Sequence, residues 1–139
     1  MSRMTTQLQP ISTDREKVLQ AIRDSWCAET CGDPTAWSPQ QPAWQQCDAS
    51  AFVAWEHLGG ELVLGTVFLD GEQTEHHYWN RIDGLDFDLT RAQFVRCEEI
   101  REVDVLTSSY LRTNMHAMKP EVLERIAIMR NRVAAALTA

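Results

Sequence analysis

The stretch Trp44-Gln45-Gln46-Cys47-Asp48-Ala49-Ser50-Ala51-Phe52-Val53-Ala54-Trp55 carries the chain out of a polar, proline-rich segment and into an apolar helix, with a cysteine at the crossing. Behind Cys47 the residues Ala49, Ala51, Phe52, Val53, Ala54, Trp55 and Leu58 are apolar nearly all round, which marks a buried helix rather than a surface one. Gly59-Gly60 supplies its C-terminal stop. A thiol in the first turn of such a helix lies at the positive end of the macrodipole, among unpaired N–H groups. That position favours a thiolate and offers donors to a developing oxyanion. The competing reading is a buried structural thiol, since free cysteine is among the most buried residue types.

Upstream, Thr13-Asp14-Arg15-Glu16 has the form of a capping box and is followed by Val18, Leu19, Ile22 and Trp26 at helical spacing, which predicts a helix from about 14 to 27. Residues 1–12 are polar and without periodicity, and are read as a flexible tail. Cys31 to Gln46 holds Gly32, Pro34, Pro39 and Pro42 with Trp37 and Trp44 between them, the pattern of an ordered loop pinned by its indoles.

Downstream, Glu61 to Leu69 is rich in β-formers and ends at the turn signal Asp70-Gly71. His76 to Ile82 and Leu85 to Leu89 read as two strands joined by the two-residue turn Asp83-Gly84. Thr90 can cap a short helical turn through Phe94, and charge alternates with β-branched residues between Val95 and Leu106, as in another strand. Pro120 opens a final helix with Val122, Ile126, Met129, Val133 and Leu137 on one stripe. The element order predicts an α+β fold in which the Cys47 helix packs on an antiparallel sheet between N- and C-terminal helices.

A chain of 139 residues is one ordinary domain, 1–139, long enough to bury a core without covalent help. No apolar run approaches the roughly 20 residues of a membrane span, and Met1 to Pro10 lacks the apolar core of a signal peptide. A cytoplasmic protein with no membrane partner is expected. The net charge of −7 argues against a nucleic-acid partner, which needs a basic surface. Cys27, Cys31, Cys47 and Cys97 are expected to stay reduced. A metal site is disfavoured: Cys27-x-x-x-Cys31 has no matching second pair, and the adjacent His76 and His77 point to opposite faces of a strand. No phosphate-binding glycine loop is present, and no cofactor is expected.

Counting outward from Asp83-Gly84 pairs Ile82 with Leu85, Arg81 with Asp86 and Trp79 with Asp88. His77, Trp79, Arg81, Asp86 and Asp88 then share one face, where diagonal neighbours are close enough for His77 and Asp88 to bond. A carboxylate on one imidazole nitrogen fixes the tautomer and leaves the other to act on a thiol. The opposite face, with Tyr78, Ile82, Leu85, Phe87 and Leu89, is the more apolar and by patterning meets the core. If the Cys47 helix lies there, His77 points away from the thiol unless Cys47 sits at the sheet edge or both faces are covered.

The order Gln46-Cys47-x-x-x-Ala51, Leu58-Gly59-Gly60-Glu61-Leu62, His77-Tyr78-Trp79-Asn80-Arg81-Ile82-x-Gly84 and Asp88-Leu89-Thr90-x-x-Gln93-Phe94 resembles the YunG-like family of small bacterial proteins. The resemblance extends to Ser25-Trp26 upstream and to Tyr110-Leu111 with the final helix downstream, and it implies no biochemical activity. More distantly, a cysteine at a helix start, His-x-Trp on a strand and Asp-x-Thr after it resemble the transglutaminase-like branch of papain-like thiol enzymes. That resemblance implies Cys47 as nucleophile, His77 as base and Asp88 as orienting residue.

Two smaller roles stand beside these. Gln46 can donate its amide to an oxyanion or be a polar loop residue, and Trp79 is the indole best placed to line a substrate cleft; Trp26, Trp37, Trp44 and Trp55 read as core. The expected function is acyl transfer from an amide, ester or thioester through an acyl-cysteine, with a small-molecule or a peptide or protein acyl substrate. The alternative is a binding module that keeps the fold without turnover. Oligomeric state is not legible in the sequence.

Overall fold

The computed structural model describes residues 2–139, with side chains from Asp14 onward. The fold is α+β. Helix α1 (Ser2–Ser25) leads to the Trp-rich loop and then to helix α2 (Cys47–Leu58). Strands β1 (Glu61–Leu69), β2 (Glu72–Ile82), β3 (Leu85–Phe87) and β4 (Glu99–Leu106) follow, then helices α3 (Ser108–Asn114) and α4 (Pro120–Thr138). The strands form one antiparallel sheet in the order β3-β2-β1-β4. No described helix is long and apolar enough to cross a membrane.

Helix α2 has the buried character its composition predicts: Ala49, Ala51, Phe52, Val53 and Ala54 are all buried. They meet Val18 and Ile22 of α1, Leu62 of β1, and Ile126, Met129 and Val133 of α4. Burying a side chain the size of Val53 or Phe52 stabilises the fold by about 1.5–3 kcal/mol. One face of the sheet takes α2. Asn80 Nδ2 donates to the Ala51 carbonyl at 2.9 Å, and the Tyr78 and Phe52 rings meet edge to face at 6.0 Å. The other face is crossed by residues 88–98, which must travel from the β3 edge to the β4 edge.

The hairpin register is the expected one, Ile82 with Leu85 and Arg81 with Asp86. Asp83 and Gly84 both have positive φ, 53° and 77°, as a type I′ turn requires. Strand β3 stops at Phe87, two residues before the expected end, so Trp79 and Asp88 are not strand partners. Strand β2 begins earlier than His76, because β1 is long enough to pair with it back to Glu72.

Helix α1 also departs from expectation. Its backbone is helical from Ser2, not from 14, and it ends at Ser25, not 27. No glycine interrupts residues 2–13, so a helix nucleated further on propagates back through them, although Pro10 forfeits one bond. The side chains of the expected capping box at Thr13 lie outside the described residues. At the other end Ser25 Oγ donates to the Ile22 carbonyl at 2.7 Å, closing the last turn. Helix α3 has no expected counterpart; the Thr107 hydroxyl accepts from the Tyr110 N–H and starts it. Leu137 is 37% exposed, since α4 outruns the core after Val133.

Candidate active site

Three constraints bring the chain to Cys47. Gln45 adopts a left-handed φ of 50°, a conformation a non-glycine residue holds only when its surroundings fix it. They do: its carbonyl accepts from the Gly32 N–H at 2.9 Å and its N–H donates to Gln93 Oε1 at 3.1 Å. Gln46 is fully buried, its Oε1 accepting from Thr30 Oγ1 at 2.7 Å and its Nε2 donating to the Cys27 carbonyl at 2.9 Å. The amide assigned by sequence to an oxyanion is thus committed, through one of its two N–H groups, to holding the loop against the helix start.

The position of Cys47 relative to the sheet follows from hydrogen-bond alternation. In a two-residue hairpin Ile82 and Asn80 turn their main-chain groups toward β3, and Tyr78, two residues on, does the same. But β3 has ended, so the Tyr78 N–H points into a gap. Cys47 occupies that gap, where the Tyr78 N–H favours its thiolate. The thiol is at the sheet edge, against the main chain of Tyr78, the residue that follows His77, and at this edge both sheet faces are covered.

His77 is fully buried. Its ring meets Phe94 edge to face at 4.8 Å and lies under Trp79 at 5.7 Å with the planes 30° apart. Nε2 stands 2.8 Å from Asp88 Oδ2. Nδ1 is buried without a hydrogen-bond partner, and so is Asp88 Oδ1. With Nε2–H donated to the carboxylate, Nδ1 is the basic nitrogen; no hydrogen bond joins it to the thiol. Asp88 caps nothing with its side chain, as the turn at Arg91–Gln93 has no side-chain cap. His76, by contrast, is exposed and off the site.

One expectation is overturned. Burial pushes the Cys47 thiol up to about 12, the Asp48 charge adds to this, and the Tyr78 N–H only partly offsets them; Glu75 and Asp88 raise it further. The helix dipole does not prevail, because desolvation of an anion outweighs a screened half-charge. Cys47 as a whole residue is only half-buried. Asp48 itself is held by Arg125 of α4 at 2.5 Å and accepts from the Ala49 N–H.

Trp79 donates Nε1 to Asp86 Oδ2 at 3.0 Å, and Asp86 also pairs with Arg81 at 2.6 Å. Together with Asp88, Arg91, Ile100 and Glu102, Trp79 and Asp86 line an open cleft of about 420 Å³. It opens on the Asp88 side of His77. Trp79 is seated there because its ring lies over Gly65, the cross-strand partner of His77: a Cβ at that position would lie 2.6 Å from the indole. Three other indoles bond within the scaffold, Trp26 to Ser50, Trp55 to Ser108 and Trp37 to the Pro42 carbonyl, while the buried Nε1 of Trp44 has no hydrogen-bond partner among the described residues.

Glu75 escaped the sequence reading. It shares a strand face with His77, two residues away, and is half-buried. Burial raises its pKa, as does Glu98, while His77 and Arg96 lower it. Alternation along β2 placed it on the His77 face, but nothing local showed that residues 88–98 would cover it. Cys27, Cys31 and Cys97 are free thiols, with Cys31 buried and donating to the Trp44 carbonyl at 3.1 Å.

The chain matches the family model described as YunG protein over residues 14–138. A relative carrying the name Uncharacterized protein YunG, from Bacillus subtilis (strain 168), is 29% identical over 79 residues, 57% of this chain. The match spans 62% of that relative's length. No solved structure matches the chain.

Proposed function

The chain belongs to the YunG family, and from that premise we propose that it is a cysteine-dependent acyl-transfer enzyme of papain-like, transglutaminase-like architecture. Cys47, His77 and Asp88 would be its nucleophile, base and orienting residue. The observation that carries the reading is the state of His77: a wholly buried imidazole with one nitrogen on a carboxylate and the other unpartnered, next to a helix-start cysteine. A core histidine kept for packing has no use for a buried orphan nitrogen, which costs about 1–3 kcal/mol.

In the proposed reaction Nδ1 takes the thiol proton as the Cys47 sulfur bonds to the acyl carbon of an amide, ester or thioester. The imidazolium, stabilised by Asp88, returns that proton to the departing amine, alcohol or thiol. Water or a second nucleophile then attacks the acyl-cysteine, giving a proton to Nδ1, and the released sulfur takes it back. A thiol held at about 12 fits general-base removal of its proton during attack better than a resting thiolate. The substrate is a small-molecule or a peptide or protein acyl compound. Main-chain N–H groups at the start of α2 are the oxyanion donors this reading favours, given how Gln46 is bonded.

The same raised thiol also favours a second reading, a binding module without turnover. Incubation with activated thioesters followed by mass spectrometry separates the two. An acyl adduct on Cys47 that forms in the wild type and not in His77→Gln supports the enzyme. Adducts confined to Cys97 and Cys27, or equal in both proteins, support the binding module.

A further inference from the structure

We infer that the Cys47 site selects substrates carrying positive charge close to the acyl group, and that Glu75 is the residue that sets this preference. The inference rests on the acyl-transfer reading and adds to it a substrate class. The charges facing the thiol and His77 are unbalanced. Asp48, Glu75 and Asp88 all bear on Cys47, and Glu98 bears on Glu75, against the His77 imidazole when it is protonated and the guanidiniums of Arg125 and Arg96.

Two of these carboxylates are occupied, Asp48 by Arg125 and Asp88 by His77. Glu75 has no ion pair or hydrogen bond to its carboxylate among the described residues, although it is half-buried on the His77 face of β2. A carboxylate in that position is short of a cation or an N–H donor. A substrate ammonium or guanidinium would supply it, and in doing so would be brought against the sulfur. The unpartnered Nδ1 of the fully buried His77 lies within the same group of side chains, so the charge imbalance surrounds a reactive centre rather than a solvated patch.

The test uses the full chain with Cys97→Ser, since Cys97 is exposed, and three methanethiosulfonates: cationic (trimethylammonium-ethyl), neutral (methyl) and anionic (sulfonatoethyl). Second-order rates at Cys47, located by peptide mapping, are taken relative to the neutral reagent and to those of a small free thiol. At low ionic strength the cationic-to-anionic ratio is expected to exceed that of the free thiol by about tenfold or more. It should contract in about 1 M salt, where screening acts over ~3 Å. Glu75→Gln should cut the ratio at least about threefold, and Glu75→Asp should keep it. A wild-type ratio equal to that of the free thiol overturns the inference, as does one unmoved by salt or by Glu75→Gln. The ratio does not depend on turnover: His77→Gln should slow all three reagents and leave it in place. A failure of the acyl-transfer reading is thereby distinguished from a failure of the charge preference.

Discussion

His77 Nε2 and Asp88 Oδ2 stand 2.8 Å apart, with the imidazole fully buried and the carboxylate partly open to solvent. The pair joins the two arms of the hairpin just beyond the point where β3 ends. Because Asp88 can only accept, the bond fixes hydrogen on Nε2 and leaves Nδ1 as the lone-pair nitrogen. The general-base step proposed at Cys47 passes through that tautomer.

Replacing Asp88 by Asn tests this directly. The amide oxygen can still accept from Nε2–H, so the fold should persist with a melting temperature within a few degrees. An amide does not stabilise an imidazolium, however, and hydrogen bonds to charged groups are worth about 1.5–3 kcal/mol against roughly 1 for neutral ones. Alkylation of Cys47 at pH 7 should fall by about tenfold or more. An unchanged rate would reduce the site to Cys47 and His77, and a collapse of stability would make Asp88 structural.

Gln46 separates two roles by their different signatures. Gln46→Ala removes two buried hydrogen bonds, one from the Thr30 hydroxyl and one to the Cys27 carbonyl, which still bond to each other, at a cost of about 0.5–1.5 kcal/mol for each bond lost. Urea unfolding should show a loss of that order. A variant of normal stability with a slowed acylation step would restore the oxyanion role instead.

Gly65 is the seat of Trp79. An added Cβ would lie 2.6 Å from one ring carbon of the indole and 3.0 Å from the Arg101 carbonyl, and the latter is backbone that cannot yield cheaply. Gly65→Ala should cost about 1–3 kcal/mol, as overpacking does. It should also alter Trp79 fluorescence and, through the indole over His77, the reactivity of Cys47. Retention of wild-type stability and fluorescence would show that the strands separate without strain.

Much of this was legible in the sequence and some was not, for identifiable reasons. The start of α2 at Cys47, the Asp83-Gly84 register and the His77–Asp88 bond are consequences of local pattern: a polar-to-apolar switch, a turn dipeptide and period-two alternation. The sheet faces were not, because Tyr78 and His77 are both covered and alternation loses its contrast when both sides are buried. What covers His77 is Phe94, on a crossing whose path depends on the strand order β3-β2-β1-β4, a non-local fact. The neutral thiol was missed for the same reason. A helix N-terminus is visible in sequence, whereas the desolvation that overrides it comes from packing.

That neutral thiol has a consequence for stability. A thiol titrating near 9 in the unfolded chain and near 12 in the folded one holds its proton more tightly when folded. The fold therefore keeps this contribution below pH 9 and loses it as pH rises from 9 toward 12. Unfolding free energy should decline over that window in the wild type and decline less in Cys47→Ala, as measured by urea titration at each pH. Parallel declines would mean the thiol is solvated more than its packing implies.

The most direct measurement is the pH dependence of Cys47 alkylation by iodoacetamide in the wild type and in His77→Gln, with unfolding curves confirming that both are folded. A thiol at about 12 acting alone loses reactivity about tenfold per pH unit below that value. With His77 as general base the wild type should exceed His77→Gln at pH 7 by about 100-fold or more, and the two should converge above pH 10. Superimposable profiles rising only in alkali would contradict the account.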